Sequence, residues 1–449
     1  MKRSAWRYLW KSEDIRKKLL ITVMLLVLYR LAANIPVPGI DRAVIQSVVT
    51  TPGATGTLFG LLDMLSGGTI SNFSILAMGV YPYITAQIIL QLLVPIIPAL
   101  DRRMKENPRE GRKWMEKWTI ILTVPMALLS AIGQINIFNS LAGQTNQTIL
   151  NFTYGFTGES LLPTMTMIIS MVAGTMLGIW LGQLISEYGI PNQGLSLIIF
   201  AGIVSQMPSN LVSLWSDKQN GWWLTIVILA IMALTIFAIV YVQQGRRNVP
   251  VLFPGRRVGN RMSMPVRSNL PLMVNMAGMI PLIFAQSLLL FPAIIASYFV
   301  NSQTTWVASL ASGIYNVFGG QSGWYAIMYF LMVVAFTFFY TDVLFQQQNY
   351  GETLKRQGAQ IPGVLRGPAT QKYLTKVQRR ITFPGAFFLG FVAVLPYILN
   401  LFLPASAQNA GLLITAAGLL IVVGVVRDTF TIIETELKLH GYEESLIKG

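Results

Sequence analysis

The chain has 449 residues, of which 53% are hydrophobic and 11% are charged, and its formal net charge is +15. A soluble globular domain carries about 25% charged residues, so this composition predicts a helical membrane protein with several spans. There is no cysteine, and the single histidine, His440, lies close to the last residue. Disulfides, thiolate nucleophiles and metal sites built from cysteine or clustered histidine are therefore excluded.

Ten apolar runs are predicted to cross the membrane. Their approximate bounds are 19–35, 73–97, 118–138, 162–182, 195–214, 222–242, 272–300, 324–345, 383–403 and 411–426. Of the 33 lysine and arginine residues, 30 lie in the N-terminal segment, in the connections after spans 2, 6 and 8, or beyond span 10. The positive-inside rule then predicts that both termini are cytoplasmic.

The ten spans divide into two groups of five, which must run through the membrane in opposite directions. We predict a cytoplasmic N-terminal segment at 1–18, an N-terminal half at 19–220, a C-terminal half at 221–427 and a cytoplasmic tail at 428–449. Inverted repeats are typical of proteins that open a path at their midline. No clear sequence repeat relates the halves, so this prediction depends on the span count.

A short apolar segment at 59–66 precedes span 2 and contains one acid, Asp63. At about 1.5 Å per residue it is too short to cross a hydrocarbon core of about 30 Å. The pair Gly67-Gly68 follows it and permits a sharp bend. Two interpretations remain open: a helix on the membrane surface, or a re-entrant half-helix enclosed by protein or lining a water-filled cavity.

Span 2 carries two aliphatic and two amide residues at helical spacing: Val80, Ile84, Gln87 and Gln91. They fall in one stripe, which is apolar at mid-depth and polar towards the cytoplasm. Span 7 is predicted to place Asn275 roughly 12 Å to the cytoplasmic side of Ile283, as Gln91 lies roughly 10 Å below Ile84. This suits a wet cytoplasmic funnel closed by an apolar constriction. Ordinary hydrogen bonding and packing between helices would use the same residues.

Two cytoplasmic connections are longer than topology requires. The connection at 243–269 is predicted to form a hairpin from Asn248–Phe253 and Arg256–Met262, and the connection at 346–381 contains two helical stretches, Glu352–Gln357 and Thr370–Arg380. Their candidate docking residues are Arg246, Arg247, Arg256, Arg257, Arg261, Lys355, Arg356, Arg366, Lys372 and Lys376. Such side chains suit phosphate or carboxylate partners, although anionic membrane lipids would attract the same charges.

Catalysis and ion coupling have little support in this sequence. Arg30 is the one charge well inside a span, and Asp342 lies near a cytoplasmic end, whereas ion-coupled carriers place acids within the membrane. Walker, GxSxG and HExxH motifs are absent, so neither an enzyme nor a cofactor is expected. A secondary transporter with inverted repeats and a membrane-anchored RNA-binding scaffold remain as alternatives.

The sequence resembles the SecY/Sec61 family, the channel subunit of the general protein translocon, in its bacterial form. The resemblance covers about 19–427, and its motifs are Arg30 with Ile35–Asp41, Ser66–Gly68, Pro82–Ile84, Gly174–Met176, Ile199–Val204, Leu270–Pro281 and Lys372–Val377. It implies an all-α fold with ten transmembrane helices in two inverted, pseudo-symmetric halves around a central pore. It also implies a protein-conducting channel without a nucleotide site of its own.

The resemblance also implies roles for particular residues. The segment 59–71 looks like the family's plug, with Phe59, Leu62, Asp63, Leu65, Gly67 and Gly68 as its candidate residues. The family's ring of aliphatic side chains maps to Val80, Ile84, Ile199, Ile283 and Ile421. A lateral gate would pair spans 2 and 3 with spans 7 and 8, and its polar residues here are Gln87, Gln91 and Asn275.

The partners that the resemblance implies are small membrane subunits of the SecE and SecG types, the motor ATPase SecA, the ribosome, signal sequences and nascent polypeptides. The two basic connections would dock the ribosome and the motor. The location implied is the bacterial plasma membrane. One departure concerns the second connection, where Arg366 stands one place later than the arginine of the family pattern.

Overall fold

The structure is a computed structural model of the chain. It describes residues 12–40, 73–106, 108–144, 158–215, 221–254, 257–258, 261–262, 266–299, 304–318, 323–402 and 416–439. The predicted plug at 59–71, with all of its candidate residues, lies outside the described residues, and so does Arg256.

Helices dominate the described residues, in agreement with the predicted fold class. They are α1 Glu13–Ala32, α2 Tyr81–Ile96, α3 Pro98–Glu106, α4 Pro108–Gln144, α5 Leu161–Tyr188, α6 Gly194–Trp215, α7 Gly221–Gln244, α8 Ile280–Phe299, α9 Thr305–Phe318, α10 Gly323–Gln348, α11 Tyr350–Arg356, α12 Pro368–Phe402 and α13 Ala416–Leu439. The strands are β1 Arg246–Phe253, β2 Arg257–Val258, β3 Arg261–Met262 and β4 Val266–Met273.

Within the described part of the chain, five helical stretches are long and apolar enough to cross a membrane. A sixth is obtained if α2 and α3, which meet at 93°, form one broken span. The helix α9, in the predicted external connection after span 7, has no counterpart among the predicted elements. The number of ten spans remains a prediction.

The prediction that span 2 begins at residue 73 is wrong for the helix itself, because α2 begins only at Tyr81. Residues 73–80 form turns, in which Gly79 has a φ of 53°. Backbone hydrogen bonds from Val37 to Phe73 (3.1 Å) and from Ile75 to Ile35 (3.0 Å) hold this segment against the end of α1. Pro82 lies in the first turn of α2, where its missing N–H costs no helical hydrogen bond.

The predicted start of span 7 at Leu272 is also wrong. Leu272 belongs to β4, and the helix α8 begins at Ile280, after a turn in which Gly278 has a φ of 63°. Strand, turn and helix are all apolar here, so hydropathy alone could not separate them. Pro281 falls in the first turn of α8, a position that favours a helix start.

The predicted hairpin exists with a different return strand. β1 pairs antiparallel with β4, from Arg246 opposite Met273 to Phe253 opposite Val266. The predicted return strand, Arg256–Met262, instead contributes β2 and β3, which pair with each other at the tip. Val249 is buried and lies opposite Leu270. Burial of Val249 favours the register in which β1 pairs with β4.

Two boundaries in the C-terminal half also differ from the prediction. The stretch Thr370–Arg380 and span 9 form one continuous helix, α12, which passes through Pro384 and Pro396. Packed neighbours can satisfy the backbone groups that a proline frees, so proline does not end a buried membrane helix. The helix α13 continues to Leu439, well into the predicted tail.

The buried side chains form three clusters. The first collects residues between Leu25 and Ile199, together with Ile283, Ile421 and Val425. The second collects residues between Ile228 and Val423. The third joins the hairpin to the connection after α10. The first two clusters therefore follow the predicted halves, except where α8 and α13 reach across.

Gly174 in α5 allows the turn segment before α2 to pass close by. A Cβ added to Gly174 would lie 1.9 Å from the carbonyl oxygen of Ile75. Glycine-to-alanine changes normally stabilise an exposed helix by up to about 1 kcal/mol, but this contact reverses the sign. We expect Gly174→Ala to destabilise the protein by about 1–3 kcal/mol, the usual cost of overpacking, as measured by thermal unfolding in detergent.

The matched control is Gly313→Ala in α9, because a Cβ at that glycine would meet nothing within 4 Å. It should leave the melting temperature unchanged or slightly raised. An unchanged melting temperature for Gly174→Ala would show that Ile75 does not approach α5 as described.

Candidate functional site

The five aliphatic residues predicted to form a ring all belong to one large buried cluster or pack against it. Val80, Ile199, Ile283 and Ile421 are 2–6% exposed and belong to the first cluster, and Ile84 packs against that cluster. They come from α2 and its N-cap, α6, α8 and α13, so both halves contribute. We call these five the ring residues. Ile199 lies within α6, five residues beyond the start of that helix.

The polar side of span 2 makes one contact across the predicted lateral gate. The Tyr340 hydroxyl of α10 donates a hydrogen bond of 2.8 Å to Oε1 of Gln91. Nearer the start of α2, the side chain of Tyr81 lies close to that of Ser287 of α8. Gln87 is half-buried between these two contacts. The structure thus places α2 beside α8 and α10, the helices of predicted spans 7 and 8.

Asn275 does not occupy the position predicted for it. It precedes α8, and its side chain closes the turn before that helix: Nδ2 donates to the carbonyl of Gly278 (3.2 Å) and Oδ1 accepts from the N–H of Gly278 (2.9 Å). The helical geometry from which the depth of Asn275 was predicted is therefore wrong, since residues 275–279 are not helical. Asn275 is a buried turn residue at the junction between β4 and α8.

The two charges closest to the apolar spans are both partnered. Arg30 of α1 donates a hydrogen bond to the Ser205 hydroxyl of α6. Asp342 of α10 accepts a bidentate pair from Arg379 of α12, with distances of 2.7, 3.0 and 3.1 Å. Asp342 therefore ties two helices together. Among the described residues, no three histidine, aspartate or glutamate side chains are grouped as a metal site.

The two basic connections pack into one unit, made of the hairpin, α11 and the first part of α12. We call it the cytoplasmic unit, after the side predicted for it. Its core is the third cluster, where Val249 and Leu272 pack against Phe345 and Leu374. Leu252 exchanges backbone hydrogen bonds of 2.8 and 2.9 Å with Gln360. Gln378 donates a 3.1 Å hydrogen bond to the carbonyl of Met273. The hairpin therefore packs directly against α10 and α12.

The candidate docking residues divide into two groups on this unit. The first group surrounds the hairpin and α11: Arg246, Arg247, Lys355, Arg356 and Arg366 are exposed, while Arg257 and Arg261 belong to the tip strands. Within it, Arg366 donates a 3.2 Å hydrogen bond to Gln360. The second group, Lys372 and Lys376, lines a groove on the face of α12 opposite the third cluster.

Sequence reasoning missed Tyr340, Ser287 and Glu436 as participants in contacts between distant helices. Glu436 of α13 pairs with Lys18 of α1 at 2.5 Å, which brings the end of α13 beside the start of α1. Neither Tyr340 nor Ser287 breaks the apolar pattern of its helix. Glu436 was assigned to the tail. A contact between residues 249 or 418 positions apart leaves no trace in the periodicity of one helix.

Comparison with known proteins identifies relatives along almost the whole chain. The profile of the family described as SecY matches residues 74–430. The protein translocase subunit SecY of Streptomyces scabiei is 34% identical over 450 residues, covering 98% of this chain and 99% of that protein. The same subunit from Aquifex aeolicus is 35% identical over 438 residues, 97% of each chain.

Two solved structures share the fold. One, described as the structure of a protein-conducting channel, has a TM-score of 0.62 at 19% identity and covers 99% of this chain and 100% of the other. The second comes from work on the plug domain of SecY in the closed channel and has a TM-score of 0.61, with the same identity and coverage. At this identity the likeness shows the fold alone.

Proposed function

The chain belongs to the SecY family, and from this premise we propose that it is the protein-conducting channel subunit of a bacterial protein translocase. It passes unfolded polypeptides across the plasma membrane and releases apolar segments sideways into the lipid. The observation that carries the proposal is the convergence of the five ring residues from both halves in one apolar cluster. A belt of aliphatic side chains closes a pore to water and ions, yet can yield around an extended chain.

We propose two inverted halves, at 19–220 and 221–427, that separate to open the pore. The distribution of the first two clusters supports this division, because each half buries most of its side chains within itself. Both termini would be cytoplasmic. The pairing of Lys18 with Glu436 supports that orientation, since it joins the first and last helices on one side.

The plug is proposed at 59–71, directly before the turn segment that leads into α2. That segment is held against α1 and α5 by the contacts of Ile75. A plug attached there would lie at the external side of Val80, where a stopper above the ring would have to be.

The proposed partners are the small subunits of the SecE and SecG types, the motor SecA, the ribosome, and the signal sequences and nascent chains that pass through. No catalytic reaction is proposed for the chain itself, so the energy comes from a partner. The ribosome and the motor would dock on the hairpin side of the cytoplasmic unit, where its exposed arginines suit phosphate and carboxylate groups.

We propose that the bond between Tyr340 and Gln91 is a latch of the lateral gate. Tyr340→Phe removes only the hydroxyl, and a typical hydrogen bond contributes about 0.5–1.5 kcal/mol, so the gate should open about 2- to 10-fold more readily. A precursor with a weakened signal sequence should then be translocated several-fold faster by purified vesicles. The rate for a precursor with a strong signal should stay unchanged.

Tyr241→Phe is the control for this change, because Tyr241 lies exposed on α7. It should leave both rates as they are in the parent protein. Equal rates for Tyr340→Phe and the parent on the weakened precursor would exclude the latch.

The main rival function is a secondary transporter of small solutes with inverted repeats. The pairing of Asp342 with Arg379 counts against it, because this carboxylate is held in an ion pair between α10 and α12. Reconstituted vesicles separate the two functions: we expect import of an unfolded precursor that requires the motor and ATP. Uptake of small solutes without precursor transport would favour the carrier.

A further inference from the structure

A groove of about 1040 Å³ opens at the cytoplasmic end of α10, between that helix, α11 and the first turns of α12. Its wall on α12 carries Lys372, Lys376 and Arg380, followed by Phe383. Glu352 of α11 is the acid on the opposite wall. The groove is therefore basic along one side and ends on an aromatic ring.

The positive charge of this groove is largely uncompensated. Arg379 also lines it, but Asp342 pairs with that side chain, and Glu352 lies 3.6 Å from Arg356. Lys372, Lys376 and Arg380 are exposed and make no ion pair within the part of the chain that the structure describes. Their spacing of four residues places them on one face of α12, so three cations point along a single strip.

The same face of α12 continues as a column of exposed aromatic rings. Phe383, Phe387 and Phe391 repeat every four residues and are 56, 44 and 55% exposed, and the first two rings lie 4.7 Å apart. These residues belong to predicted span 9, so their exposed faces meet hydrocarbon. One helix face therefore changes from three free cations to three apolar rings over a few turns, at the level where the membrane surface must lie.

We propose that this groove binds an anionic phospholipid of the cytoplasmic leaflet. The phosphate would lie among Lys372, Lys376 and Arg380, while the acyl chains would lie along Phe383 and Phe387. Basic side chains at the cytoplasmic ends of membrane helices attract such headgroups. A nucleic acid or an acidic peptide would match the cations alone and leave the aromatic column unused, so lipid fits the whole surface.

The occupant would lie beside one helix of the predicted gate, α10. Asp342 and Tyr340 are two residues apart on α10, so a lipid held between α10 and α12 would border the helix that carries the gate contact. Lipid composition would then influence how α10 is held, even though the pore itself is lined by other helices.

The test uses the purified full chain with its membrane partners in mild detergent, supplied with phosphatidylglycerol or phosphatidylcholine. Native mass spectrometry counts the lipids retained by the parent, by Lys376→Gln with Arg380→Gln, and by the control Arg16→Gln with Lys17→Gln on α1. The control removes the same charge from exposed positions at another cytoplasmic helix end. We expect at least a fivefold loss of phosphatidylglycerol in the groove variant, and no loss in the control.

Two further arms identify the ligand. Inorganic phosphate at millimolar concentration should not displace the phospholipid, and Phe383→Ser with Phe387→Ser should weaken retention of phosphatidylglycerol although every cation remains. Equal retention by the groove variant and its control would overturn the proposal. Unchanged lipid retention together with weaker ribosome or motor binding would also overturn it, and would assign the strip to a docking partner. Unchanged melting temperatures would show that each variant is folded.

Discussion

Replacing Ile84 and Ile283 together by serine is expected to raise the resting ion conductance of the channel roughly tenfold or more in planar bilayers. Both residues are ring residues, and Ile283 is almost fully buried within the first cluster. An apolar constriction excludes ions because it does not hold water, and two hydroxyl groups would stabilise water there. The smaller side chains would also widen the constriction.

The control for this experiment is Leu234→Ser with Phe237→Ser on α7. Both side chains are 72% exposed, so they are expected to face lipid. This variant should conduct no more than the parent. Because losing a buried isoleucine also costs stability, about 2–5 kcal/mol for the related change to alanine, the amount of folded protein must be measured for each variant. A folded ring variant with the conductance of the parent would exclude the ring.

Reversing two charges at the tip of the hairpin, by Arg257→Glu and Arg261→Glu, is expected to weaken binding of the ribosome and of the motor at least tenfold. These residues lie on the paired strands β2 and β3, at the end of the cytoplasmic unit. Hydrogen bonds to charged groups contribute about 1.5–3 kcal/mol each, so two lost contacts exceed a factor of ten. Where the partner is ribosomal RNA, the salt dependence of binding should also become shallower.

The charge-matched control is Arg16→Glu with Lys17→Glu at the exposed start of α1. These positions are also predicted to lie on the cytoplasmic side, and the variant should bind both partners as the parent does. Binding is measured by cosedimentation with ribosomes and by titration with labelled motor. If the tip variant and the control lose affinity equally, the effect is one of net charge, and the hairpin tip is not the docking site.

The sequence was sufficient to predict a helix where the residues of that helix form a single apolar run. The apolar runs of α7 and α10 predicted these helices to within three residues of their ends, because lipid-facing and buried residues are both apolar. The helix α5 extends six residues beyond its predicted end. The ring residues followed from the resemblance together with the stripe on span 2. Predicting these residues as one group did not require the turns between the helices to be predicted.

The errors occur where one apolar run contains more than one kind of structure. Leu270–Pro281 contains a strand, a turn and a helix start, and only pairing with β1 distinguishes them. The same run led us to treat Asn275 as a helical residue, although it lies in the turn before α8. Prolines were equally ambiguous, since Pro82 begins a helix whereas Pro384 lies inside one.

The resemblance predicted which spans meet at the gate, but the individual side-chain contacts between distant segments could not be predicted from the sequence. The hydrogen bond between Tyr340 and Gln91, the pairing of Lys18 with Glu436 and the shared core of the two basic connections each depend on the folded arrangement. The two connections were predicted as separate protrusions. Their packing into one unit places the hairpin directly against α10, the helix that carries Tyr340.

Cross-linking from an arrested precursor tests the central proposal most directly. A photoreactive residue placed in turn at 84, 199 and 283 should form adducts with a secretory precursor that is stalled partway by a folded domain at its end. The same probe at the exposed Leu234 should form none. Adducts at all three ring positions, dependent on the motor and ATP, are the predicted result. Adducts at Leu234 but at none of the ring positions would contradict a path through this pore.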